Sequence, residues 1–347
     1  MSKLRGAVVG FGKLGLLHAG LINGLPSSTL SAVVESSRLV QKIVGNQFTN
    51  VEVFSNVNEL VSKNKPDFVV IATPTSSHIS IAETLVRANI PVLIEKPLAL
   101  NSMEALPLTI ALAENWVPNM VGYMGRFIDT FSKAAQLIHQ EVLGSVRMIR
   151  SSMYIEQLLK PGAGWRYDPN LSGGGVLITQ NSHLIDKLRW MFGDIIEVSG
   201  NTNKLVSQDV EDHVHSYLKF DSGAVGFMDA SWSARHFRTP TISIHVQGDY
   251  GTLDVNDDEV RLYLDSPTLG YLGGWTNWRK PDLYQPVPLD IGGTQYTLQM
   301  LEFLNAVTNH TDVQSNVASG LKTQKIIDAI YESSRNGGAP ISLVSKQ

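Results

Sequence analysis

The chain contains no cysteine, so it has no disulfide framework, no thiolate metal site and no cysteine nucleophile. This absence is typical of a cytoplasmic protein. The chain also lacks an uninterrupted apolar run of the roughly 18 residues that a membrane-spanning helix requires. Near the amino terminus, Gly10, Gly12 and Gly15 interrupt a segment that would otherwise resemble a signal peptide. We therefore expect neither a membrane-spanning protein nor a disulfide-rich secreted one.

An excess of positive charge is absent as well. Lys and Arg number 28 against 32 Asp and Glu, and the resulting net charge of −4 offers no basic face for nucleic acid. The hydrophobic share of 43% and the charged share of 17% are those of an ordinary globular protein. At 347 residues the chain is long enough for two domains, each with its own core.

A glycine-rich turn joins the first predicted strand, over residues 4–9, to the first predicted helix. In such a turn the missing side chains let the pyrophosphate of a dinucleotide reach the backbone N–H groups at the helix start. A tight turn that binds nothing would have the same spacing. We predict a dinucleotide site formed by six consecutive residues: Gly10, Phe11, Gly12, Lys13, Leu14 and Gly15.

An acidic residue follows the second predicted strand at the spacing that this site requires. Glu35 lies 35 − 15 = 20 positions after Gly15. A carboxylate there can accept hydrogen bonds from both ribose hydroxyls of NAD and would repel the 2′-phosphate of NADP. Arg38 is close enough to pair with such a phosphate. The sequence favours NAD, and NADP is the less favoured alternative.

Strands and helices alternate through six repeats over the first 124 residues, which predicts a doubly wound parallel sheet. Ligands bind such sheets beyond the carboxyl ends of the strands, so Thr73 and Pro74 should lie across a crevice from the glycine turn. His78 begins the next predicted helix. It either contributes to this site or faces solvent.

A buried strand over residues 91–94 ends at the charged pair Glu95 and Lys96. Pro97 biases the backbone of Lys96 away from helix and thereby fixes the direction of its side chain. We expect Lys96 to lie beside the nicotinamide end of the cofactor. There it would exchange a proton with a bound alcohol, once burial and a nearby positive charge have lowered its pKa from the usual value of about 10.4.

The second half of the chain has a different pattern, which predicts an α+β domain over residues 125–347 with an open, mostly antiparallel sheet. Residues 173–175 are glycines, which either allow close approach of another molecule or form a flexible turn. A single helix is predicted over residues 176–192, with His183 either satisfied in the core or used in a site. Residues 266–291 are predicted to be a loop, which is too long for a simple connection and is either a substrate lid or a subunit contact.

Taken together, these motifs make the chain similar to the glucose-fructose oxidoreductase, inositol dehydrogenase and MocA (Gfo/Idh/MocA) superfamily over nearly its whole length. The glycine turn, Thr73-Pro74 and Glu95-Lys96-Pro97 carry the resemblance in the first half. The motifs that carry it in the second part of the chain are Gly122-Tyr123 with Arg126-Phe127, Trp165-Arg166, and Gly173-Gly174-Gly175 leading to His183-Leu184-Ile185-Asp186.

The resemblance implies a Rossmann domain over residues 1–124 and a substrate and oligomerisation domain over residues 125–347. It also implies a catalytic role for Lys96 and His183, a cis peptide bond before Pro97, and a homodimer or homotetramer assembled through the second sheet. The cofactor contacts that it adds to the glycine turn, Glu35, Arg38, Thr73 and Pro74 are His78, Glu95, Lys96, Trp165 and Arg166. The substrate contacts that it implies are Lys96, Tyr123, Arg126, Arg166, Thr179 and His183.

One departure concerns the substrate. Inositol dehydrogenase-like members have an aspartate four residues before the histidine, where this chain has Thr179 followed by Gln180 and Asn181. This run is closer to that of members acting on nucleotide-linked or modified hexoses. The expected function is NAD-dependent oxidation of a secondary hydroxyl group of a sugar or sugar derivative. The alternatives are a glycosidase that retains NAD for transient oxidation and a sensor without catalysis.

Overall fold

The first of two compact units is built on a parallel sheet. The computed structural model describes residues 3–48, 50–157, 159–160 and 162–344, and its elements are numbered here in chain order. The strands of the first unit are β1 (Leu4–Val9), β2 (Ser28–Val34), β3 (Glu52–Phe54), β4 (Phe68–Ile71), β5 (Val92–Ile94) and β6 (Asn119–Val121). Its helices are α1 (Lys13–Gly24), α2 (Arg38–Gln47), α3 (Val57–Lys63), α4 (His78–Arg87), α5 (Ser102–Glu114) and, later in the chain, α11 (Thr294–Asn309).

Within the described residues, these six strands pair in parallel in the order β3-β2-β1-β4-β5-β6. This order is that of the dinucleotide-binding Rossmann fold. The strand order reverses between β1 and β4, so the carboxyl ends of these two strands flank the crevice where a ligand binds. The predicted doubly wound sheet is confirmed.

Residues 286–322 belong to this first unit, although they come late in the sequence. Helix α11 packs against one face of the sheet, where the rings of Phe68 and Phe303 meet edge to face at 5.8 Å. Beyond α11, the backbone N–H of Val121 donates to the carbonyl oxygen of Ser315 at 2.7 Å, and Ser315 Oγ donates to the carbonyl oxygen of Val121 at 2.9 Å. The first predicted boundary, after residue 124, coincides with a boundary of the unit. The sequence did not predict that residues 286–322 also belong to the first unit.

The second unit comprises residues 125–285 and 323–344 of the described chain. Its strands are β7 (Val146–Tyr154), β8 (Ile195–Asn203), β9 (His213–Phe220), β10 (Val225–Ser231), β11 (Thr241–Gly248), β12 (Gly251–Asn256), β13 (Glu259–Leu264), β14 (Gly274–Arg279) and β15 (Ile341–Ser342). Its helices are α6 (Asp129–His139), α7 (Pro169–Ser172), α8 (Val176–Thr179), α9 (Ser182–Phe192), α10 (Lys280–Leu283) and the part of α12 (Val317–Arg335) from residue 323 onwards.

As far as the chain is described, these nine strands form one sheet in the order β14-β13-β12-β11-β7-β10-β9-β8-β15. The pair β7 and β10 is parallel and the other pairs are antiparallel, which confirms the predicted open, mostly antiparallel sheet. One face of the sheet packs on helices around a core that includes Phe131, Leu184 and Trp232.

Two local predictions for the second half were wrong. Residues 266–291 are not one long loop, because β14 extends the sheet beside β13 and α10 follows it. The helix predicted over residues 176–192 is two helices, α8 and α9, separated at Gln180 and Asn181. Threonine, asparagine and serine are weak helix formers because their side chains compete for backbone hydrogen bonds. Here Thr179 Oγ1 donates to the carbonyl oxygen of Gly175 at 2.7 Å, and Asn181 Nδ2 lies 3.1 Å from the sulfur of Met228.

The turn before α8 is held by a buried carboxyl group. Glu211 accepts hydrogen bonds from the backbone N–H of Gly175 at 2.8 Å and of Leu177 at 3.0 Å, and from the Tyr331 hydroxyl at 2.7 Å. A Cβ on Gly175 would lie 1.8 Å from the carbonyl oxygen of Glu211, so no larger residue fits there. Burial raises the pKa of Glu211 above its ordinary value, against the opposing effect of these hydrogen bonds.

This pKa shift predicts how the stability of the protein depends on pH. A carboxyl group whose pKa is raised by folding contributes its full stability below its unfolded pKa of about 4.3, and loses it as pH rises through the folded pKa. We expect the free energy of unfolding of the unmodified protein, relative to that of Glu211→Gln, to fall as pH rises from about 4 to 7. Urea unfolding at several pH values measures this difference. A difference that stays constant or grows would contradict the prediction, and Glu332→Gln, on the exposed side of α12, is the control.

Candidate active site

The glycine turn between β1 and α1 has the geometry that a bound pyrophosphate requires. Gly10 has a φ of +87°, and a Cβ there would lie 2.8 Å from the carbonyl oxygen of Ala72. A Cβ on Gly15 would lie 1.9 Å from the carbonyl oxygen of Gly10, so only glycine fits in this tight turn. A Cβ on Gly12 would meet nothing within 4 Å, so open space lies beside the first turn of α1. Lys13 and Leu14 begin the helix there.

Glu35 lies beside this turn, as its spacing predicted. Its carboxylate accepts hydrogen bonds from the backbone N–H of Phe11 at 2.9 Å and of Ser37 at 2.8 Å. These bonds fix the carboxylate while oxygen lone pairs remain for ribose hydroxyls. Arg38 is exposed at the start of α2. The residues of this edge therefore fit a dinucleotide, since they combine open space, backbone donors and a fixed acceptor.

His78 does not face solvent, which removes one of its two interpretations. Its ring is buried, with Nδ1 at 2.9 Å from the carbonyl oxygen of Pro97 and Nε2 at 3.0 Å from that of Thr73. Burial lowers the pKa of His78, so the neutral ring donates one of these hydrogen bonds. The ring thus connects the segment that contains Thr73 and Pro74 to the segment that follows Lys96.

Lys96 follows β5 at the carboxyl edge of the sheet, and its side chain is half-buried. The peptide bond between Lys96 and Pro97 is cis, as the resemblance implied. The neighbouring Glu95 is almost completely buried, and its Oε2 accepts a hydrogen bond from the Lys96 backbone N–H at 3.3 Å. The edge that carries the glycine turn and Glu35 thus also carries Lys96.

A buried histidine that sequence reasoning did not identify binds the same carboxyl group. His18 Nε2 lies 2.8 Å from Glu95 Oε1, and both side chains are nearly inaccessible to solvent. His18 comes three residues after the last glycine of the turn, on a helical spacing that also suits a core residue. Only the fold brings it to Glu95, which lies 77 positions further along the chain.

In the second unit, the predicted substrate residues lie around α9. Thr179 precedes the break between α8 and α9 and His183 follows it, and both are buried. Arg126 makes a buried two-point ion pair with Asp186, with Nε to Oδ2 at 2.8 Å and Nη2 to Oδ1 at 2.6 Å. This ion pair holds α9 against the segment that precedes α6.

The remaining predicted residues occupy two other places. Tyr123 is buried directly after β6, where its backbone N–H donates to the carbonyl oxygen of Val121 at 2.7 Å. Trp165 and Arg166 form a short 3₁₀ turn, with the guanidinium carbon of Arg166 at 4.6 Å from the Trp165 ring centroid. The predicted roles of Tyr123, Trp165 and Arg166 in binding stay predictions.

Sequence reasoning also missed Lys187, one turn after His183. Its ammonium nitrogen lies 4.4 Å from the Phe131 ring centroid, and a Cβ on Gly125 would lie 2.5 Å from it. Burial lowers the pKa of Lys187 to about 8. In a sequence the residue is indistinguishable from a surface lysine, because its burial depends on the glycine at position 125.

No group of three or more His, Asp or Glu side chains that could hold a metal ion occurs within the described residues. Nor does that part of the chain contain a helix both long enough and apolar enough to cross a membrane.

Comparison with family models identifies the class of protein. Residues 4–123 match the NAD-binding Rossmann fold of the GFO/IDH/MocA oxidoreductase family, and residues 135–343 match the C-terminal alpha/beta domain of that family. The chain therefore belongs to the Gfo/Idh/MocA family of oxidoreductases. The predicted family, enzyme class and cofactor, NAD, are confirmed.

Two relatives are dehydrogenases named for sugars. Levoglucosan dehydrogenase of Pseudarthrobacter phenanthrenivorans is 26% identical over 77% of this chain and 78% of its own length. D-apiose dehydrogenase of Paraburkholderia graminis is 23% identical over 97% of this chain and 89% of its own. A solved structure of levoglucosan dehydrogenase in complex with NADH superimposes with a TM-score of 0.89, at 22% identity, over 99% of this chain and all of the other, so the two share a fold.

The position of Glu35 predicts the cofactor preference of the isolated protein. NADH should bind more tightly than NADPH, because the fixed carboxylate accepts from ribose hydroxyls and repels a phosphate. In Glu35→Ser the affinity for NADH should fall about 10-fold to 100-fold, as expected for loss of a hydrogen bond to a charged group. The difference between the affinities for NADH and NADPH should then narrow or invert. Fluorescence titration with both reduced cofactors measures this, with the exposed Glu114→Ser as control. Equal affinities in the unmodified protein would contradict the prediction and would indicate that Arg38 pairs with the 2′-phosphate.

Proposed function

We propose that this protein oxidises a secondary hydroxyl group of a sugar or sugar derivative, with NAD as the hydride acceptor and Lys96 as the proton acceptor. The observation that carries the proposal is the position of Lys96. It lies half-buried at the carboxyl edge of the parallel sheet, where the glycine turn and Glu35 fit a dinucleotide.

Each group at this edge has a role in the proposed reaction. The glycine turn, Glu35, Thr73 and Pro74 would hold the cofactor, and NAD, when bound, takes up the hydride from the carbinol carbon. The hydroxyl proton must leave as well, so a base within hydrogen-bond reach of that oxygen is needed. Neutral Lys96 takes that proton on Nζ. We assign to His183 the orientation of the same hydroxyl, and to Tyr123, Arg126, Thr179 and Arg166 further substrate contacts, on the basis of the family resemblance.

The names of the relatives support a free sugar as the first candidate substrate, because levoglucosan and D-apiose carry no nucleotide. The Thr179-Gln180-Asn181 run supports testing nucleotide-linked hexoses beside them. The experiment is to mix purified protein, NAD and each compound and to follow NADH by its absorbance. Net NADH from at least one sugar supports the proposal. Cleavage of a glycoside with no net NADH would instead identify the glycosidase alternative.

Replacement of Lys96 by arginine separates charge from proton transfer. Arginine keeps the positive charge but does not give up its proton near neutral pH. We expect Lys96→Arg to lower kcat by about 10²-fold to 10⁴-fold, the usual effect of losing one acid/base group, while NADH affinity stays within a factor of about two. Lys63→Arg, on the exposed end of α3, is the control. Near-normal kcat in Lys96→Arg would mean that the proton leaves by another group.

We also propose that the second unit assembles through the open face of its sheet. That face carries aromatic side chains in pairs, with Tyr217 and Phe227 at 5.6 Å and Tyr263 and Trp275 at 5.2 Å between ring centroids. Phe227 and Trp275 are each 54% exposed. Exposed aromatic surface of this kind is commonly buried against a second copy of the chain.

Light scattering at micromolar concentration should therefore give the mass of a dimer or tetramer. Phe227→Glu places a charge in the centre of the face and should shift the protein toward smaller species without changing NADH affinity. Met103→Glu, at an exposed position on α5 of the first unit, should not change the mass. A monomer in the unmodified protein would refute the assembly.

A further inference from the structure

His78 lies between two backbone segments that the proposed reaction uses. Its side chain is buried at the start of α4, with 1% of the residue exposed. Nε2 lies 3.0 Å from the carbonyl oxygen of Thr73, five positions earlier in the chain. Nδ1 lies 2.9 Å from the carbonyl oxygen of Pro97, 19 positions later. Both nitrogens of the ring therefore face the backbone of the same unit.

The first segment, residues 72–77, lies against the glycine turn and is called here the cofactor segment. A Cβ on Gly10 would lie 2.8 Å from Cγ2 of Thr73, so the Thr73 methyl group occupies the space that a side chain at position 10 would need. The Thr73 hydroxyl accepts a hydrogen bond from Ser77 Oγ at 2.8 Å. A shift of the Thr73 carbonyl group would therefore also shift a side chain that contacts the glycine turn.

The second segment, residues 95–100, contains Lys96 and is called here the lysine segment. Strands β4 and β5 pair in parallel up to their ends, where the backbone N–H of Glu95 donates to the carbonyl oxygen of Ile71 at 2.9 Å. Beyond this ladder, the ring of His78 stands between the two segments. The Pro97 carbonyl group comes one residue after Lys96, so a hydrogen bond to it fixes the backbone beside the lysine.

A neutral ring has one proton for these two carbonyl groups. Burial lowers the pKa of His78 below its ordinary value and outweighs the opposing effects of the surrounding carbonyl groups and of Glu95. The neutral ring has a single N–H, so it donates either from Nε2 to Thr73 or from Nδ1 to Pro97. Each nitrogen thus serves one segment, and the two contacts can be removed separately.

We propose that His78 is a positioning residue that joins the cofactor segment to the lysine segment. Through Nε2 it holds Thr73 against the glycine turn, and through Nδ1 it holds the backbone beside Lys96. The ring thereby keeps the group that takes the proton at a fixed separation from the cofactor. The proposal rests on the roles assigned to Thr73 and Lys96 under the proposed function. It gives His78 a role through the two segments that it joins.

Two amide substitutions separate the two nitrogens. The side-chain nitrogen of glutamine reaches the place of Nε2, whereas that of asparagine reaches the place of Nδ1. His78→Gln should bind NADH within about two-fold of the unmodified protein but lose about 10-fold to 100-fold in kcat, because Lys96 is misplaced. His78→Asn should keep kcat within about two-fold at saturating NAD but bind NADH about 3-fold to 10-fold more weakly, which corresponds to one lost hydrogen bond.

His78→Leu fills a similar space without any hydrogen bond and should show both losses. Ser80→Ala, at an exposed position on the same helix, is the control and should show neither. Fluorescence titration measures the NADH affinity of each variant, and the formation of NADH from the most active sugar measures kcat.

Two results would overturn the proposal. One is a loss of NADH affinity and kcat together in both His78→Gln and His78→Asn, because a residue that only packs the core shows no such split. The other is unchanged NADH affinity and kcat in His78→Leu. Should His78→Leu fail to fold, the comparison of the two amide variants still decides.

Amide hydrogen exchange followed by mass spectrometry tests the same connection without cofactor or substrate. In His78→Gln the lysine segment should exchange about 2-fold to 10-fold faster while the cofactor segment is unchanged, and in His78→Asn the reverse should hold. This split in a protein that oxidises no sugar would support the role of His78 in joining the segments and refute the dehydrogenase. Sugar oxidation without the split would refute only the role of His78.

Discussion

A carboxyl group that is shielded from water needs a hydrogen-bond partner, and at the carboxyl edge of this parallel sheet the side-chain partner of Glu95 is His18. The contact joins α1, which begins at the dinucleotide turn, to the segment that follows β5 and carries Lys96. Glycine at position 122 leaves room for the carboxyl group on its other side. This one buried interaction thus fixes the segment that begins at the glycine turn to the segment that carries Lys96.

Much of this edge could be predicted from the sequence because its chemistry is local. The glycine turn and the lysine before a proline each reflect a constraint that acts within a few residues of the chain, and the acidic residue 20 positions later reflects one that acts within a single strand–helix–strand unit. Glu35 illustrates this, since its contacts with Phe11 and Ser37 follow directly from the adjacency of β1 and β2. Most antiparallel strands of the second sheet could be predicted as well, because alternation of apolar and polar residues indicates a half-buried strand.

The parts that could not be predicted depend on contacts between distant residues. His18 and Glu95 lie 77 positions apart, and Glu211 and Tyr331 lie 120 apart. No periodicity reports such a pair before the topology is known. The prediction of one helix over residues 176–192 was wrong for a related reason. Its apolar spacing is helical throughout, but the helix is interrupted where Thr179 Oγ1 donates to the carbonyl oxygen of Gly175 and Asn181 contacts Met228 in the core. Residues 266–291 show no strong alternation of apolar and polar residues, so the sequence predicted a loop where the edge strand β14 lies.

The NAD-binding unit is assembled from two stretches of chain, residues 3–124 and 286–322, and this division has a consequence for biosynthesis. A ribosome adding about 5 to 20 residues per second needs roughly 8 to 32 seconds to make the 285 − 124 = 161 intervening positions. Throughout that interval the sheet face around Phe68 lacks the part of its cover that α11 supplies, and β6 lacks its hydrogen bond to Ser315. The nascent Rossmann sheet therefore exposes apolar surface until residues 286–322 have been synthesised. It completes its core only after most of the other unit has already left the ribosome.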